Sequence, residues 1–377
     1  MYNRHHTETL KRLITDIVVV GDAAEHRFCA EVLERSGVSG IHHLSEKEYE
    51  EYLSRLPHEK RGSVLALKRF PGNFARECPG TGHPYLCCRY ETLSPAVNCP
   101  LGCTYCILQS YLNEPVNVIY VNWEQLARDA YERYARTPSR LIRTGTGELS
   151  DSLVFEPWTR IGERLIEEFG NKAGIILELK TKTVAIESVL AMPAPGNVVL
   201  SWSLNPESIV TREEGYAAPV AERIAAARQA VEAGYLVGFH FDPIIHMAGG
   251  TEQYRELARE LFDSIPASRI AWISLGCLRY PGELLAIARI HQQQSRIFSA
   301  EMIRGLDGKW RYPRPIRQKE YRAVAEIIRE RAPEVFLYLC MELPAVWRNV
   351  LSWAPANNNE FDKAFRASLL SRYENLQ

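Results

Sequence analysis

Strand and helix signals alternate along the chain. Residues 16–21 (DIVVVG) form an apolar run that predicts a buried strand, and the segment after it predicts a helix that ends at Gly37. Residues 62–68 predict another short strand, which precedes a loop. These elements indicate a small α/β unit at the amino terminus, which we assign to residues 1–80.

From about residue 82 the alternation becomes regular. Six runs predict strands, each followed by a helical stretch, at residues 86–92, 140–146, 174–182, 197–205, 236–245 and 269–279. The clearest helix spans residues 219–233, between a proline and Gly234, with one apolar face made of Val220, Ile224, Ala227 and Val231. Six β/α units in succession predict a parallel sheet, either open or curled into a partial (β/α)6 TIM-like barrel, over residues 81–295. Residues 296–377 then form a C-terminal extension.

Composition places the chain among ordinary globular proteins. Of its 377 residues, 46% are hydrophobic and 24% charged, and the formal net charge is −1, so any contact with nucleic acid must come from local patches. The amino terminus has no apolar signal segment, and no run approaches the roughly 18 apolar residues of a membrane span. We therefore expect a cytoplasmic protein without a membrane partner. Nine cysteines without a secretory signal favour reduced thiols and metal or redox chemistry.

Three of these cysteines form a compact motif. In residues 97–109 (VNCPLGCTYCILQ), Cys99, Cys103 and Cys106 have C-x-x-x-C-x-x-C spacing, and no second C-x-x-C pair is present. Cys87 and Cys88 are adjacent on a predicted strand, so they should point to opposite faces and cannot both join. A cubane iron–sulfur cluster on the triplet would leave one iron free to bind a small molecule. Two alternatives remain: three buried cysteines, or a structural zinc with a distant ligand such as Cys78.

The motif and its surroundings resemble the radical S-adenosylmethionine superfamily, and within it the spore photoproduct lyase family. Tyr105 precedes the third cysteine, and the stretch CTYCILQSYL is followed by VIYVN. Further similar segments include the pair Ser150–Asp151, the pair Thr181–Lys182 and the stretch RIAAARQAVEAGYLVGFHFDPI, so that the resemblance covers most of residues 85–330. It implies a radical SAM partial barrel and a 4Fe-4S cluster on Cys99, Cys103 and Cys106. It also implies reductive cleavage of S-adenosyl-L-methionine to a 5′-deoxyadenosyl radical, with an electron donor such as flavodoxin or ferredoxin.

The resemblance also assigns cofactor-binding residues at the strand ends. Glu148 would accept hydrogen bonds from the methionine ammonium, and Lys182 would meet the methionine carboxylate. Ser203 and Asn205 alternate on the fourth predicted strand, so both could face the ribose. The full set is Tyr105, Glu148, Ser150, Asp151, Lys182, Ser203, Asn205 and His240. Structural alternatives are a helix N-terminal carboxylate for Glu148, N-caps for Ser150 and Asp151, a solvated strand end for Lys182, and a core histidine for His240.

One position departs from the family pattern. The family places a cysteine, similar to a hydrogen donor for the product radical, shortly before its serine–aspartate pair. Here that place holds Gly147-Glu148-Leu149. We propose Cys277 and Tyr280, at the end of the sixth predicted strand, as replacement catalytic donors, because thiol and phenol hydrogens can both be abstracted. The alternative for Cys277 is a small buried residue.

The C-terminal extension contains a basic and aromatic stretch, RGLDGKWRYPRPIRQKEYR, at residues 304–322. Asp307-Gly308 predicts a turn between two short strands. A similar hairpin in the family contacts the lesion-containing strand, because cations neutralise phosphates and rings stack on bases. The predicted nucleic-acid-binding residues are Lys309, Trp310, Arg311, Tyr312, Arg314, Arg317 and Lys319. The alternative is a solvated basic loop with aromatic packing residues.

Three functions remain open from the sequence. The first is a lyase-like radical SAM enzyme that acts in DNA repair, on a DNA photolesion or a related nucleic-acid target. The second is the same radical chemistry on a peptide or a small metabolite. The third is a non-catalytic, metal-stabilised nucleic-acid-binding protein, which would need zinc instead of iron.

Overall fold

The computed structural model describes residues 2–78, 84–111, 114–136 and 141–373. In chain order its strands are β1 (Asp16–Val20), β2 (Gly40–Leu44), β3 (Val64–Lys68), β4 (Ala75–Glu77), β5 (Glu91–Leu93), β6 (Ala96–Val97), β7 (Asn117–Tyr120), β8 (Ile142–Gly145), β9 (Ile175–Thr181), β10 (Val198–Ser203), β11 (Leu236–Ile244), β12 (Ile270–Cys277), β13 (Arg279–Tyr280), β14 (Ile303–Arg304), β15 (Trp310–Arg311) and β16 (Phe336–Leu339).

The helices lie between these strands and at both ends of the chain. They are α1 (Tyr2–Leu13), α2 (Arg27–Ser36), α3 (Glu46–Arg55), α4 (Leu108–Tyr111), α5 (Gln125–Ala135), α6 (Glu156–Thr159), α7 (Ile161–Phe169), α8 (Glu187–Leu190), α9 (Glu207–Glu213), α10 (Val220–Glu232), α11 (Gly250–Ser264), α12 (Gly282–His291), α13 (Arg314–Arg331), α14 (Pro344–Leu351) and α15 (Asn358–Arg372). Within the described residues, no helix combines the length and apolar character needed to cross a membrane.

The first sheet has the strand order β2-β1-β3-β7-β6, in which only β6 runs antiparallel to its neighbour. The predicted strands near residues 16–21 and 62–68 and the helix before Gly37 are confirmed. Gly37 adopts φ +59°, a backbone conformation that favours glycine after a helix. Strands β6 and β7 join this sheet although they follow residue 80. The predicted boundary at residues 80 and 81 lies outside the described residues, and the division into units at 80 and 295 stays a prediction.

The second sheet has the order β16-β12-β11-β10-β9-β8-β5-β4 and curls into a half-barrel. From β5 to β16 all neighbours are parallel, and β4 closes one edge in the antiparallel direction. The predicted fold class is therefore confirmed. The first predicted strand, 86–92, is wrong in extent, because only Glu91–Leu93 pairs as a strand there. Strand β16, a run of four residues, was not predicted, and residue 140 lies outside the described residues.

Helices cover the outer face of this sheet, so its strands are apolar on both sides. All eight residues of β12 are buried. The predicted helix at 219–233 is α10, whose Val220, Ile224 and Ala227 are buried, whereas Val231 is half-buried. Polar residues inside the strands are therefore exceptions that need a reason, and Glu178, His240 and Ser274 are three of them.

A small antiparallel sheet, β13-β15-β14, forms the predicted hairpin. Gly308 has φ +78°, and the Gly305 amide donates to the Lys309 carbonyl at 2.8 Å, which confirms the turn at Asp307-Gly308. The 18-residue helix α13 then begins at Arg314, directly after Pro313. Arg314, Arg317 and Lys319 therefore lie on this helix rather than on the hairpin.

Candidate active site

A cavity of about 660 Å³ opens at the carboxyl ends of the parallel strands. Cys99, Cys103 and Cys106 all line it, from the loop between β6 and α4. We call residues 101–106 of this segment the cluster loop. The Cys106 amide donates to the Cys103 carbonyl at 3.1 Å, so a tight turn brings these two cysteines to the same side. The three predicted metal ligands thus surround one space.

Of the two cysteines in this loop, Cys103 is buried and Cys106 is half-buried. Burial raises the pKa of Cys103 to about 12 and raises the pKa of Cys106 as well. Across the described residues, no three cysteine, histidine or acidic side chains are arranged to hold a metal ion. A cubane cluster has a different requirement, since each cysteine binds a separate iron and the ligands only need to surround the cluster. Because Cys99, Cys103 and Cys106 line one cavity of about 660 Å³, the site fits that requirement. The three thiols would lose their protons when the cluster binds.

Glu148 also lines the cavity, but it has a partner that was not predicted. Its Oε1 accepts a hydrogen bond from Lys180 Nζ at 2.6 Å. Burial opposes the charge of Lys180, yet Glu148 and Glu178 raise its pKa, so the lysine is a cation. Gly147 allows this approach, because a Cβ there would lie 2.7 Å from the Lys180 Cβ. One carboxylate oxygen of Glu148 therefore remains for a ligand.

Ser150 and Asp151 line the cavity and fasten its wall. Ser150 Oγ donates to the Asn98 carbonyl at 2.7 Å. Asp151 accepts from the Lys182 amide and from Thr181 Oγ1, both at 2.7 Å. These contacts lock the loop after β8 onto the end of β9. The structure thus brings both residues to the predicted place, with a visible structural task.

Lys182 lies beside the cluster loop, and its ammonium group contacts two side chains. Its Nζ is 2.9 Å from the Tyr105 hydroxyl and 3.0 Å from Glu214 Oε1. Ser203, the last residue of β10, lines the same cavity. Asn205 does not, because β10 has already ended and the Asn205 side chain is fully buried. The predicted role of Asn205 at the ribose is therefore wrong, and its amide instead donates to Glu214 at 2.8 Å.

His240 belongs to a buried chain of polar groups at the cavity wall. Its Nε2 lies 2.7 Å from Glu178 Oε1, and its Nδ1 lies 2.6 Å from Ser274 Oγ. Burial opposes ionisation of Glu178, but His240 and Arg143 hold its pKa well below the usual range. As a carboxylate, Glu178 must accept, so Nε2 carries a proton. An acidic residue inside the apolar run IILELKT was the sequence signal for this network.

Cys277 and Tyr280 do not border the cavity. Cys277 is 2% exposed and packed behind the sheet end, where its amide donates to the Tyr321 hydroxyl at 2.8 Å. Tyr280 is 1% exposed and packs edge-on against Phe298. Neither side chain is exposed to the cavity, so neither is in position to donate a hydrogen atom to a substrate bound there. The structure therefore contradicts their placement as catalytic donors.

Other thiols line the cavity instead. Cys88 Sγ accepts from Arg143 Nη2 at 3.0 Å, and Cys340 Sγ accepts from Arg279 Nη2 at 3.2 Å. Cys87 borders the cavity as well, so the prediction that Cys87 and Cys88 point to opposite faces of a strand is wrong. No strand includes these two residues. The sequence could not reveal Cys340, because it follows β16, the strand that the pattern missed.

The predicted nucleic-acid residues separate into two groups. Arg311, Tyr312 and Arg317 are at most 4% exposed and have internal partners: Asp307, the His246 amide and Glu342, respectively. Their predicted contact with phosphates or bases is wrong for this reason. Lys309 lines the cavity, Trp310 is half-buried, and Arg314 and Lys319 are exposed. Burial and the nearby Arg279 lower the pKa of Lys309.

Comparison with known proteins gives concordant results. A family model described as spore photoproduct lyase matches residues 90–280. A spore photoproduct lyase of Clostridium acetobutylicum is 24% identical over 186 residues, which cover 47% of this chain and 55% of the relative. One from a Geobacillus species is 27% identical over 167 residues, covering 44% and 49%. The chain thus matches about half the length of these curated relatives.

Solved structures extend the likeness to most of the fold. A spore photoproduct lyase complexed with dinucleoside spore photoproduct superimposes with a TM-score of 0.75, at 19% identity, over 86% of this chain and 98% of the other. A variant with bound AdoMet and dinucleoside spore photoproduct gives 0.74 at 18% identity over the same shares. At these identities the match concerns the fold alone.

Proposed function

Because the chain belongs to the spore photoproduct lyase family, we propose that it is a radical S-adenosylmethionine enzyme that acts on a photolesion or a related target in DNA. The observation that carries this proposal is one cavity lined both by cysteines of cluster spacing and by Lys309 of the hairpin. We call the part lined by these cysteines the cluster end and the part lined by Lys309 the hairpin end. Relatives of the same fold bind AdoMet and dinucleoside spore photoproduct. The cavity volume is ample for a cofactor and part of a nucleotide.

At the cluster end, Cys99, Cys103 and Cys106 would hold a 4Fe-4S cluster and leave one iron open. When bound, the cluster would supply one electron to S-adenosylmethionine, which cleaves it to methionine and a 5′-deoxyadenosyl radical. Lys182 is placed for the methionine carboxylate, and the free oxygen of Glu148 for the ammonium. Both side chains are held by internal partners, so little side-chain entropy is lost when the cofactor binds.

For the hydrogen donor, we assign Cys88 in place of Cys277. Cys88 faces the cavity, and the Cys87 thiol and burial raise its pKa well above the usual value, so the S–H bond is intact at neutral pH. In the donor step the S–H bond breaks and a C–H bond forms on the product radical. The thiyl radical that remains takes one electron from the external donor and one proton from solvent.

At the hairpin end, Lys309, Trp310, Arg314 and Lys319 are the residues left to contact DNA. Among the described residues, Lys309 is a cavity cation that makes no ion pair, whereas Lys180, Lys182 and Arg279 each have a carboxylate partner. A phosphate group would supply the missing counter-charge. Arg311, Tyr312 and Arg317 serve this surface indirectly, because they fix the hairpin and the start of α13.

A second candidate is the same radical chemistry on a peptide or small metabolite. It is favoured because three of the predicted DNA contacts, Arg311, Tyr312 and Arg317, are buried inside the protein. The hairpin region therefore exposes fewer cations than its sequence contains. Charged pairs in the cavity wall, such as Asp242–Arg279, would suit a polar metabolite. The third candidate, a zinc-stabilised binding protein, receives no support from the arrangement of the described residues.

The deciding experiment uses anaerobically purified and reconstituted protein. We expect about four irons per chain and release of 5′-deoxyadenosine with dithionite that rises when ultraviolet-irradiated DNA is present. Undamaged DNA is the control. Stoichiometric zinc in the native protein would overturn the proposal. Cofactor cleavage that ignores both DNA samples would favour the metabolite candidate.

A further inference from the structure

Four consecutive residues, Glu213 to Tyr216, run along the cluster loop and contact it repeatedly. The Thr104 amide donates to the Glu213 carbonyl at 2.8 Å, and the Tyr216 amide donates to the Leu101 carbonyl at the same distance. Thr104 Oγ1 adds a bond to the Glu213 carboxylate. We call residues 213–216 the strap. Its backbone is bonded to both sides of Cys103 in sequence.

Gly215, inside the strap, shows how close this contact is. Its φ is +47°, and a Cβ built there would lie only 2.2 Å from the Leu101 carbonyl oxygen. Any side chain would therefore push the strap away from the cluster loop. The glycine is needed for both its backbone conformation and its lack of a side chain.

Glu214 connects the strap to two residues that line the cavity, Tyr105 and Lys182. Its side chain is fully buried and accepts from the Tyr105 hydroxyl, Lys182 Nζ and Asn205 Nδ2 on one oxygen. Its other oxygen accepts from Arg223, which is also fully buried. Two cations thus share one carboxylate, an arrangement that satisfies a buried charge only with good geometry. Removing Glu214 would leave both cations without this partner.

From these contacts we propose that the strap is a positioning element for the iron–sulfur site, with Glu214 as the residue that orients Tyr105 and Lys182. The inference rests on the proposed function, because it assumes a cluster on the three cysteines. The strap fixes the loop from outside, and Glu214 fixes two cavity side chains next to it. Groups that orient ligands from behind typically change metal affinity by about 10- to 100-fold when removed.

The first test compares two glycines with left-handed backbones. Gly215→Ala should lower iron affinity about tenfold, because the added methyl displaces the loop that carries Cys103. Gly249→Ala is the matched control, since Gly249 has φ +71° but nothing within 4 Å of its Cβ position. Iron is titrated anaerobically, with sulfide and a thiol reductant present, into the metal-free proteins, and the thermal unfolding of each protein is measured as well. If Gly215→Ala does not fold, Thr104→Val, which removes only the side-chain bond to Glu213, takes its place.

The second test separates positioning from packing. Glu214→Gln keeps the side-chain shape but removes a negative charge near the cluster, so the reduction potential should rise while the iron content stays full. The electron paramagnetic resonance change on adding S-adenosylmethionine should weaken, because a neutral amide oxygen accepts less strongly from Lys182 and Tyr105 than a carboxylate does, and the amide nitrogen would face the Arg223 guanidinium, donor against donor. Glu232→Gln, on the exposed face of α10, removes the same charge far from the loop and should change neither.

The possible outcomes distinguish the presence of the iron–sulfur cluster from the role of the strap. A wild-type protein that holds no iron would contradict the proposed function itself. A wild-type protein with four irons, together with strap variants that match their controls in iron affinity, potential and spectrum, would overturn only the inference about the strap.

Discussion

The cluster end of the cavity takes its three thiols from eight consecutive residues, whereas the hairpin end is assembled from groups far apart in sequence. Cys99, Cys103 and Cys106 lie on one loop. At the other end, the lining comes from segments distributed over the half-barrel from β5 to β16 and from the hairpin: Cys88, Arg143, Asp242, Arg279, Lys309 and Cys340. A motif whose residues are close in sequence can be recognised from their spacing alone, because those residues also stay close together in the folded chain. A non-local one depends on which strands become neighbours.

The two ends also differ in how their charges are balanced. At the cluster end, Lys182 and Arg223 share the buried Glu214. At the hairpin end, Arg279 pairs with Asp242, but Lys309 has no carboxylate partner among the described residues. The first arrangement favours a fixed geometry, and the second leaves a cation for a ligand. The predictions below probe this contrast.

The largest effect should follow removal of the cluster ligands. Changing Cys99, Cys103 and Cys106 together to alanine should abolish iron binding and all cleavage of S-adenosylmethionine, because the other cysteines that line the cavity do not have the spacing of a cluster motif on one loop. Iron analysis of the reconstituted variant measures this. A variant that keeps its full iron complement would mean that the cluster lies elsewhere.

Next in size is the loss of the assigned hydrogen donor. Cys88→Ala should keep the cluster and 5′-deoxyadenosine release but lose most product, because the product radical is no longer quenched. Cys277→Ala is the control, since that thiol lies outside the cavity. Product is quantified by chromatography of digested DNA. Equal product from both variants would remove Cys88 from the mechanism.

Arg317 tests the buried side of the hairpin region. Arg317→Ala should destabilise the fold by about 3–5 kcal/mol, because it leaves the buried Glu342 carboxylate without its cationic partner. Arg314→Ala, at the exposed start of the same helix, should change stability by no more than about 0.5 kcal/mol. Denaturant unfolding gives both values. A stable Arg317→Ala protein with weakened DNA binding would restore the sequence-based assignment.

Glu148 tests the predicted cofactor contact at the cluster end. Loss of a charge-assisted hydrogen bond costs about 1.5–3 kcal/mol, so Glu148→Ala should bind S-adenosylmethionine roughly tenfold to a hundredfold more weakly. The iron content should be unchanged. Anaerobic titration measures the affinity, and an unaltered value would show that Glu148 serves only Lys180.

Lys309 should give the smallest effect. If it meets one phosphate, Lys309→Ala lowers the slope of log affinity against log salt by about 0.9. Trp310→Ala should instead cost about 1–3 kcal/mol and leave the slope nearly unchanged, because stacking is not ionic. Binding to irradiated DNA over a salt series distinguishes them. Identical slopes for wild type and Lys309→Ala would argue against a phosphate at this end.

Sequence patterns predicted the half-barrel well because its strands are long apolar runs. Strands β8 to β12 all lie within their predicted ranges wherever the chain is described. Short elements were harder: β16 has four residues, and β5 only three. Their positions depend on pairing with neighbouring strands, and β6 and β7 even joined the first sheet. Periodicity within a short window carries no information about such partners.

The site divides in the same way. Cys99, Tyr105 and Lys182 all line the cavity, and each belongs to a motif with fixed spacing. Asn205 was misplaced because β10 ends two residues earlier, and Arg311 because its partner Asp307 neutralises it. The sequence alone does not show whether a basic residue is paired with an acidic residue of the same chain, and a paired residue cannot serve as a free cation for phosphate. Burial and pairing are three-dimensional properties, so these assignments needed the structure.

The central claim is that one cavity joins the radical source to a DNA target. The most direct test follows a hydrogen atom from ultraviolet-irradiated DNA, made with deuterated thymidine, into 5′-deoxyadenosine during turnover with S-adenosylmethionine and dithionite. We predict deuterium in 5′-deoxyadenosine and a matching loss of photolesion, since the radical forms within reach of the substrate. Unlabelled 5′-deoxyadenosine, produced at the same rate with and without irradiated DNA, would contradict the account.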